Sequence, residues 1–498
     1  MSQLTTRLKP LMLTVHDLVH TLKPRTARSP FTGRQVHFVG IGGSGMCGLA
    51  HMLLDLGAVV SGTDRTPSAV TTKLSECGAT ISSQQVAESM PPDTQIVVHS
   101  AAIKPDHPEL IEARRRQAAG PEAGGIEIIK YAQMLGRVMA LRRGIAIAGT
   151  HGKSTTTALL AHILLSAGLD PSFVVGATAA QLGGSARSGN GEFFVAEACE
   201  YDRSFHNLRL RMAAVLNIEE DHLDYYKDLA EIVDSFGQFM AQVDPTGLIL
   251  TSATDENCRQ AARHAKARVE TYGVDVSADW QASGIRRFQG KAHFAVNYRG
   301  KLLGRLALGI AGRHNVGNAL VAAALATQCG VPWDQIAAAI ENFRGADRRS
   351  QLLLTTPAPQ NVRILDDYGH HPTEIRATLL ALREHYRPER LVCVFQPHQH
   401  SRTRFLLDDF ARSFVHADLT IVPDIYFVRD SEADRKAVTS AMLVEKIMAN
   451  GRTAKYIADF PAIVEFVLQD LRPGDLIVSM GAGPVWEVTN ELVRRLGR

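Results

Sequence analysis

The strongest chemical signal in the sequence is a glycine-rich turn between a predicted strand, residues 144–148, and an apolar helix. Backbone N–H groups at the start of a helix attract an anion, and glycine lets a phosphate approach the backbone closely. Lysine supplies a cation, and a serine hydroxyl is an oxygen ligand for Mg²⁺. The pattern is a shortened Walker A loop and predicts an ATP site. We call it the phosphate loop, and it consists of Gly149, Thr150, His151, Gly152, Lys153, Ser154 and Thr155.

Acidic side chains and a histidine follow two other apolar segments of the same region. The segment FFVAEACEYD ends with Glu197, Glu200 and Asp202, and the segment MAAVLNI runs into residues 219–224, EEDHLD. A carboxylate at a strand end beside a phosphate loop is well placed to hold Mg²⁺, directly or through water. A neutral His222 can ligate a second Mg²⁺ or orient a phosphate, although residues 219–224 also suit the first turn of a helix.

Two asparagines precede an alanine-rich helical pattern. Asn315 and Asn318 are three residues apart in the segment AGRHNVGNA, so they share one face of a helix. Each side-chain amide offers both a donor and an acceptor, and two of them together can read the edge of a purine. Capping of the helix is the alternative role for Asn315.

A second glycine turn lies near the start of the chain, between the segment VHFV and the helical pattern MCGLAHMLLDLG. Its sequence fits the dinucleotide fingerprint GxGxxG, and Asp64 ends the next predicted strand at a suitable distance. Such a helix start binds a diphosphate, from NAD or from a nucleotide sugar. Asp64 can accept a ribose hydroxyl or be a solvated turn residue, and His99 and Ser100 follow another strand that ends at this sheet edge. The first glycine turn contains Gly40, Gly42, Gly43, Ser44 and Gly45.

The last third of the sequence places polar clusters after two apolar strands. The segments are DDYGHHPTE and FQPHQHSRTR, and their density of polar groups is hard to explain by packing. Two arginines and two histidines at a strand end suit a carboxylate or a phosphate. Arg348 and Arg349 stand just before this region, where an arginine can reach the γ-phosphate of a nucleotide when the domains close. The candidate residues of the two clusters are Asp367, His371, His398, Arg402 and Arg404.

Predicted strands alternate with helical patterns along most of the chain, which indicates the α/β class, with parallel sheets covered by helices. The length of 498 residues exceeds one core of ordinary size and suggests three domains. We predict an N-terminal extension over residues 1–33, domains over residues 34–142, 143–346 and 347–498, and a surface loop over residues 118–125.

The composition is that of an ordinary globular protein, with 45% hydrophobic and 21% charged residues. A net charge of +3 gives no reason to expect a nucleic-acid partner or an anionic membrane. The six cysteines contain no CxxC pair and fit a reducing cytoplasm. The sequence lacks a signal peptide and any run of ~20 apolar residues. We therefore expect a cytoplasmic protein, either a monomer or a weak homodimer.

Taken together and in order, these motifs resemble those of the Mur ligase family, over nearly all of residues 36–490. The resemblance implies an N-terminal Rossmann-like domain that binds a UDP sugar and a central P-loop ATPase domain. It also implies a C-terminal Rossmann-like domain, similar to dihydrofolate reductase, that binds the amino acid. The motifs that carry the resemblance are HFVGIGGSGM, SGTD, GIAIAGTHGKST, EACEYDRSF, NIEEDHLDYY, AGRHNVGNA, DDYGHHPTEI, FQPHQHSRTR and MGAG.

Within the family, the motifs are most similar to the alanine-adding type. That similarity implies ATP-dependent ligation of L-alanine to the carboxylate of UDP-N-acetylmuramate through an acyl phosphate, supported by two Mg²⁺ ions. The product would enter peptidoglycan synthesis, and so cell shape and cell division. An NAD-dependent oxidoreductase leaves the phosphate loop without a role, and a simple nucleotide-binding module leaves the C-terminal histidines and arginines unexplained. A recycling ligase that attaches a ready-made peptide to the same sugar stays open.

The family's site residues carry over onto matching positions of this sequence. The phosphate loop, Asn315, Asn318 and Asp367 match ATP-binding positions, and Ser154, Glu197 and His222 match metal ligands. Cys199 and Tyr201 stand where many members have Asp and Ser, so this stretch has one carboxylate fewer. The catalytic positions implied are Lys153, Glu197, His222, Arg349 and His371. Those implied for the UDP sugar are the first glycine turn, Asp64, His99, Ser100, Arg402 and Arg404.

Overall fold

The computed structural model describes residues 29–120, 125–428 and 430–497 and contains three sheets, one after another along the chain. Helices connect the strands of each sheet, so the predicted α/β class with three domains is confirmed. Most of the predicted extension and residues 121–124 of the predicted loop lie outside the described residues. Among the described helices, none is long and apolar enough to cross a membrane.

The first sheet is wholly parallel, as predicted. Its strands are β1 (Gln35–Val39), β2 (Val59–Thr63), β3 (Thr80–Ser82), β4 (Ile96–His99) and β5 (Glu127–Lys130). The accompanying helices are α1 (Ser44–Asp55), α2 (Ala69–Glu76), α3 (Pro108–Ala118) and α4 (Tyr131–Met139). The strand order is β3-β2-β1-β4-β5, so the chain reverses direction across the sheet next to β1. The first glycine turn follows β1 and therefore lies at the switch point, where open α/β sheets bind ligands.

The central sheet has ten strands, and the phosphate loop follows one of them. Its strands are β6 (Arg143–Ala148), β7 (Ser172–Ala179), β8 (Gly184–Arg187), β9 (Phe193–Glu197), β10 (Leu210–Val215), β11 (Val243–Ser252), β12 (Arg268–Val274), β13 (Trp280–Phe288), β14 (Lys291–Tyr298) and β15 (Lys301–Leu308). Its helices are α5 (Lys153–Ser166), α6 (Leu229–Ala241), α7 (Glu256–Ala261), α8 (Arg313–Gln328) and α9 (Trp333–Asn342). The strand order is β15-β14-β13-β12-β11-β10-β6-β9-β7-β8, so the phosphate loop follows the strand that lies between β10 and β9.

The expectation of purely parallel sheets is wrong for this domain, because β13, β14 and β15 form an antiparallel meander and β8 pairs antiparallel with β7. The meander turns at Gln289-Gly290 and at Arg299-Gly300, where all four residues have φ between +48° and +78°. Two consecutive residues with positive φ make the tight turn whose twist suits a hairpin. These two pairs, each with glycine second and each between segments of alternating polarity, could have predicted the antiparallel hairpins from the sequence.

The third sheet is parallel except for its edge strand β16. Its strands are β16 (Gln351–Thr355), β17 (Arg363–Asp367), β18 (Arg390–Phe395), β19 (Leu419–Val422), β20 (Ala454–Tyr456) and β21 (Asp475–Met480). Its helices are α10 (Pro372–Tyr386), α11 (His400–Phe405), α12 (Leu407–Ser413), α13 (Glu432–Ala437), α14 (Ser440–Ala449), α15 (Phe460–Gln469) and α16 (Trp486–Leu496). The order is β16-β17-β21-β18-β19-β20, which brings the two predicted polar clusters to one sheet edge.

Helices α5 and α8 pack side by side in the core of the central domain. Residues 315–326 of α8 are all buried, which explains why this helix is apolar all round and rich in alanine. Close packing brings the start of α5 against α8. A Cβ atom built on Gly152 would lie 2.7 Å from Oδ1 of Asn318. The phosphate loop and the asparagine pair thus share one cavity wall.

Candidate active site

The phosphate loop bends sharply between β6 and α5. Gly149 and Gly152 have φ of +135° and +85°, a backbone region that glycine adopts without a steric penalty. Asn217 anchors the loop from the end of the neighbouring strand. Its carbonyl oxygen accepts from the N–H of Thr150 at 3.0 Å, and its Oδ1 accepts from the N–H of His151 at 2.7 Å. Asn217 is a supporting residue that the sequence analysis did not single out.

Lys153 is the cation of the phosphate loop and is only 14% exposed. Its Nζ lies 3.0 and 3.1 Å from the two carboxylate oxygens of Glu200, and it also donates to the carbonyl oxygens of Gly149 and Thr150. Burial disfavours the ammonium form, but Glu200 and other nearby anions outweigh it and raise the pKa of Lys153. The lysine is therefore charged at any physiological pH. Glu200, one of the three carboxylates of the segment FFVAEACEYD, is its ionic partner.

The predicted metal ligands fall into two neighbouring groups. Ser154 Oγ lies 3.1 Å from Oε1 of Glu197, whose Oε2 accepts from the N–H of Gly176 at 2.6 Å. His222 Nε2 lies 3.6 Å from Oε1 of Glu200. A hydroxyl and a carboxylate are the ligands that Mg²⁺ prefers, so the first group fits that ion. The second group adds an imidazole and a carboxylate, and it makes Glu200 a candidate ligand beside His222.

The segment after β10 is irregular rather than helical. Helix α6 begins only at Leu229, behind its N-cap Asp228, so the alternative that residues 219–224 form a first helical turn is wrong. His222 has φ of +55°, which is uncommon for residues other than glycine, although histidine adopts it more often than most. Its ring packs edge-on against Tyr201, with centroids 5.1 Å apart. The residue is thus held in a specific and unusual backbone conformation.

Asn315 and Asn318 are both buried on one face of α8, as predicted. Asn315 Nδ2 donates to the carbonyl oxygen of Ala311 at 2.6 Å, and its Oδ1 accepts from Nδ2 of Asn318 at 2.9 Å. The N-cap of α8 is Gly312, so the capping alternative for Asn315 is wrong. Asn315 mainly holds Asn318, whose Oδ1 faces the phosphate loop at Gly152.

A cavity of about 740 Å³ extends from the phosphate loop and the asparagine pair to the third domain. On the central side it is lined by Tyr272 and Val274 of β12 and by Arg287 of the meander. On the other side it is lined by Leu380 and Glu384 of α10. A cavity of this size, mostly apolar and with the loop at one end, suits a nucleotide.

Arg349 reaches the phosphate loop from the third domain. Its NH2 group lies 3.4 Å from Oγ of Ser154, and its guanidinium lies over the ring of Tyr368, 5.1 Å from the centroid. The flanking residues Arg348 and Ser350 have φ of +56° and +50°. Two such residues around Arg349 indicate that the turn is held in place by its surroundings.

Asp367 holds that turn from the end of β17. Its Oδ2 accepts from the N–H of Ser350 at 2.6 Å and from the Ser350 hydroxyl at 3.1 Å, while its Oδ1 accepts from the N–H of Gly369 at 2.7 Å. Burial raises the pKa of Asp367 to about 6, against the opposite effect of Arg349 and of these hydrogen bonds. The side chain is 96% buried, and it acts here as a support for Arg349.

A cluster of ionisable side chains joins the phosphate loop to α10. His151 Nδ1 lies 3.2 Å from Oε1 of Glu374, and its Nε2 lies 3.4 Å from Oε2 of Glu219, as ion pairs rather than aligned hydrogen bonds. Burial opposes protonation, but the two carboxylates outweigh it and raise the pKa of His151 to about 9. The ring of His371 lies 4.8 Å from that of His151, and burial lowers the pKa of His371. His151 is thus a second cation in the loop.

The two arginines of the segment FQPHQHSRTR point to different partners. Arg402 NH2 and Nε lie 2.8 and 3.2 Å from Oδ1 of Asp221 in the central domain, and its NH1 lies 3.4 Å from Nδ1 of His398. Arg404 is exposed and pairs with Asp434 of its own domain at 3.2 Å. Of the two arginines predicted for the UDP sugar, therefore, Arg402 faces the interdomain crevice and Arg404 does not.

The first glycine turn is held by the strand beside it. The N–H groups of Gly40 and Ile41 both donate to the carbonyl oxygen of Thr63 at 2.9 Å. The N–H of Gly42 donates to Oδ2 of Asp64 at 2.9 Å, and a Cβ atom at this glycine would lie 2.7 Å from the same oxygen. In this structure Asp64 therefore supports the turn, in addition to its predicted role toward a ribose.

His99 and Ser100 lie at the same edge, since β4 pairs directly with β1. His99 Nδ1 lies 3.1 Å from the carbonyl oxygen of Ser100, and burial lowers the pKa of His99, so its ring is neutral. The side chain of Ser44 lies outside the part that the structure describes, whereas Gly43 is the N-cap of α1.

Helix α4 joins the first glycine turn to the central domain. A Cβ atom on Gly45 would lie 3.0 Å from the ring of Tyr131, and burial raises the pKa of Tyr131, with a further contribution from Glu197. Lys130 Nζ forms an ion pair of 2.7 Å with Asp202. The third carboxylate of the segment FFVAEACEYD thus binds the first domain instead of joining the metal ligands. Tyr131 thus lies between the first glycine turn and Glu197 of the predicted metal ligands.

Three family models match the chain, one for each sheet. The model described as "Mur ligase family, catalytic domain" matches residues 35–143. The model described as "Mur ligase middle domain" matches residues 147–326, and the one described as "Mur ligase, glutamate ligase domain" matches residues 348–483.

Similar proteins cover nearly the whole chain. The UDP-N-acetylmuramate–L-alanine ligase of Pelotomaculum thermopropionicum is 41% identical over 465 residues, which are 93% of this chain and 98% of that protein. The UDP-N-acetylmuramate-alanine ligase of Thermotoga maritima has a crystal structure with a TM-score of 0.76 and 26% identity, covering 93% and 98%. A murein peptide ligase of Psychrobacter arcticus has a TM-score of 0.67 and 27% identity, covering 94% and 99%. The chain therefore belongs to the Mur ligase family.

Proposed function

We propose that the protein uses ATP to join L-alanine to the carboxylate of UDP-N-acetylmuramate, a step of peptidoglycan precursor synthesis in the cytoplasm. One observation carries the proposal. A phosphate loop with a buried lysine lies beside a serine and a carboxylate that suit Mg²⁺, and Arg349 of the third domain reaches the same serine. Relatives that bear the name of this activity match over nearly their whole length.

The phosphate loop is the proposed site of the ATP phosphates. The start of α5 and the ammonium of Lys153 provide positive potential for the terminal phosphates. Asn318, with Asn315 behind it, is the proposed contact for the adenine and lines the same cavity as the phosphate loop. The first glycine turn is the proposed site of the UDP diphosphate, since a helix start without a lysine still attracts an anion.

The first chemical step is an attack of the muramyl carboxylate on the γ-phosphorus. The new P–O bond forms as the bond to the β-phosphate oxygen breaks, which yields an acyl phosphate and ADP. Lys153 and Arg349 stabilise the charge on the transferred group by their fixed positions. When bound at Ser154 and Glu197, and at His222 and Glu200, two Mg²⁺ ions would neutralise further phosphate charge.

In the second step the amine of L-alanine attacks the acyl carbon, and phosphate leaves as the amide forms. Water in the crevice would hydrolyse the acyl phosphate, so closure of the third domain protects it. Both ring nitrogens of His371 are engaged, one with the N–H of Thr373 and one with the carbonyl oxygen of Glu220. We therefore assign His371 to holding the closed domains together, and not to proton transfer.

The test is phosphate release from ATP with UDP-N-acetylmuramate and Mg²⁺, with each amino acid added in turn. We expect release that requires both the sugar and L-alanine. The recycling activity is the second candidate, because a murein peptide ligase shares this fold at 27% identity. A preference for an L-alanyl tripeptide over L-alanine in the same assay would support that candidate. Absence of release with any acceptor would refute the ligase proposal.

A further inference from the structure

Three consecutive residues of the central domain are bound by the third domain. They belong to residues 219–222, which we call the acidic loop. Glu219 Oε2 accepts from the hydroxyl of Thr373 at 2.6 Å, and the carbonyl oxygen of Glu220 lies 3.2 Å from Nε2 of His371. Asp221 forms the nearly buried pair with Arg402, in which the side chains are 9% and 8% exposed. The C-terminal domain therefore holds this loop at each of its first three positions.

The fourth residue of the acidic loop reaches a carboxylate of the central domain. His222 Nε2 lies 3.6 Å from Oε1 of Glu200, the carboxylate that also pairs with Lys153. Its φ of +55° lies in the left-handed region, where a residue with a β-carbon persists only when its neighbours hold it there. The orientation of His222 toward Glu200 is thus a property of the loop as a whole.

Asp221 links the two sides through one oxygen atom. Its Oδ1 accepts from the backbone N–H of His222 at 2.7 Å and from Arg402 at 2.8 and 3.2 Å. The arginine belongs to α11 of the third domain, 181 residues away in sequence. When the third domain moves away, this carboxylate loses its cationic partner, and the contact that fixes the His222 backbone loses its support.

We propose that closure of the third domain positions His222 for a divalent cation, with Asp221 and Arg402 as positioning residues. The inference rests on the proposed function, in which His222 and Glu200 hold the second metal ion. Coupling between two sites is reciprocal, so an ion at His222 favours the closed domain by the same factor. The cation would be a hard divalent ion such as Mg²⁺ or Mn²⁺.

The experiment measures the binding of Mn²⁺ by electron paramagnetic resonance, in the presence of a non-hydrolysable ATP analogue. In the full-length protein we expect two bound ions. In Arg402→Ala the weaker ion should lose about 10-fold in affinity, within the usual range of coupling between sites. Small-angle scattering on the same samples should show that compaction needs more Mn²⁺ in the variant.

Two further variants complete the test. Asp221→Asn keeps the shape of the side chain and removes its charge, so we again expect a lower affinity for the second ion. This variant replaces Arg402→Ala if Arg402→Ala fails to fold. Arg412→Ala removes an exposed arginine of the same domain that pairs with Asp409, and it should leave Mn²⁺ binding unchanged.

Native affinity for the second ion in both Arg402→Ala and Asp221→Asn would overturn the coupling while leaving the proposed reaction intact. If the unmodified protein bound no second ion, the metal site and the coupling would both be wrong, although a one-metal ligase would still release phosphate.

Discussion

The first glycine turn and the phosphate loop each follow a central parallel strand and each lead into a helix, yet the groups around them differ. The first turn is anchored by Asp64, a carboxylate that accepts from the N–H of Gly42. The phosphate loop is anchored by the neutral Asn217 and carries Lys153 at its end. Three carboxylates lie around the phosphate loop, and they belong to Glu197, Glu200 and Glu219.

That difference separates anion binding from phosphoryl transfer. A helix start and glycine N–H groups suffice to hold a diphosphate. Transfer of a phosphoryl group also needs a fixed cation and oxygen ligands for metal ions, since charge spreads over the equatorial oxygens in the transition state. The phosphate loop has both, whereas the carboxylate described at the first turn, Asp64, is engaged by the N–H of Gly42. Similar backbone geometry therefore suits the two different functions that we propose.

The largest effect is expected when the lysine of the phosphate loop is removed. We expect Lys153→Ala to lower the rate of phosphate release by about 1000-fold or more, because a preorganised charge in the transition state is lost. Binding of UDP-N-acetylmuramate, measured by calorimetry, should stay nearly unchanged. Equal loss of both properties would mean that the two turns do not act as separate sites.

A side chain added in the first glycine turn should weaken binding of the UDP sugar and leave binding of ATP intact. Gly42→Val forces a Cβ atom to within 2.7 Å of Asp64 Oδ2, so the turn must distort, and we expect UDP-sugar affinity to fall by about 100-fold. ATP affinity should be retained. Gly43→Ala separates two causes of the loss, because a Cβ atom there has no protein neighbour closer than 3.6 Å and can obstruct only the diphosphate itself. Unchanged sugar binding in Gly42→Val would refute the assignment of this turn.

The two asparagines of α8 are expected to differ in their effects on ATP binding and on stability. Asn318→Ala should raise the KM for ATP by about 10-fold, the effect of one or two lost hydrogen bonds. Asn315→Ala removes the hydrogen bonds to both Ala311 and Asn318, whereas Asn318→Ala removes only the one between the two asparagines. Asn315→Ala should therefore lower the free energy of unfolding more, by about 1–3 kcal/mol. Chemical denaturation of both variants separates the two effects. Equal destabilisation in both would contradict the different roles.

The smallest expected effect concerns pH. The pKa of His151 is raised to about 9 in the folded protein, above about 6.5 in the unfolded chain. The folded state therefore binds this proton more tightly, and the resulting stability is complete below pH 6.5 and is lost as pH rises through 9. We expect His151→Gln to reduce this part of the pH dependence of unfolding by urea. If both proteins showed the same pH dependence of unfolding, the ion pairs of His151 with Glu219 and Glu374 would not contribute to stability.

Much of the site was predictable because it depends on neighbours in sequence. The strand, the glycine turn and the helix around Lys153 follow from backbone preferences and hydrophobic periodicity that act over a few residues. The same holds for the first turn and for the shared helix face of Asn315 and Asn318. The antiparallel meander was missed because its evidence was two short residue-glycine turns in a chain of otherwise alternating strands and helices.

The pairing of charges was decided by the tertiary structure alone. The sequence listed Glu197, Glu200 and Asp202 together, but the fold turns the first toward Ser154, the second toward Lys153 and the third toward Lys130. Likewise, Arg402 and Arg404 look alike in sequence, and only Arg402 meets the central domain. Local preferences set the backbone of each segment, whereas the partner of a side chain depends on how whole sheets and domains pack across hundreds of residues.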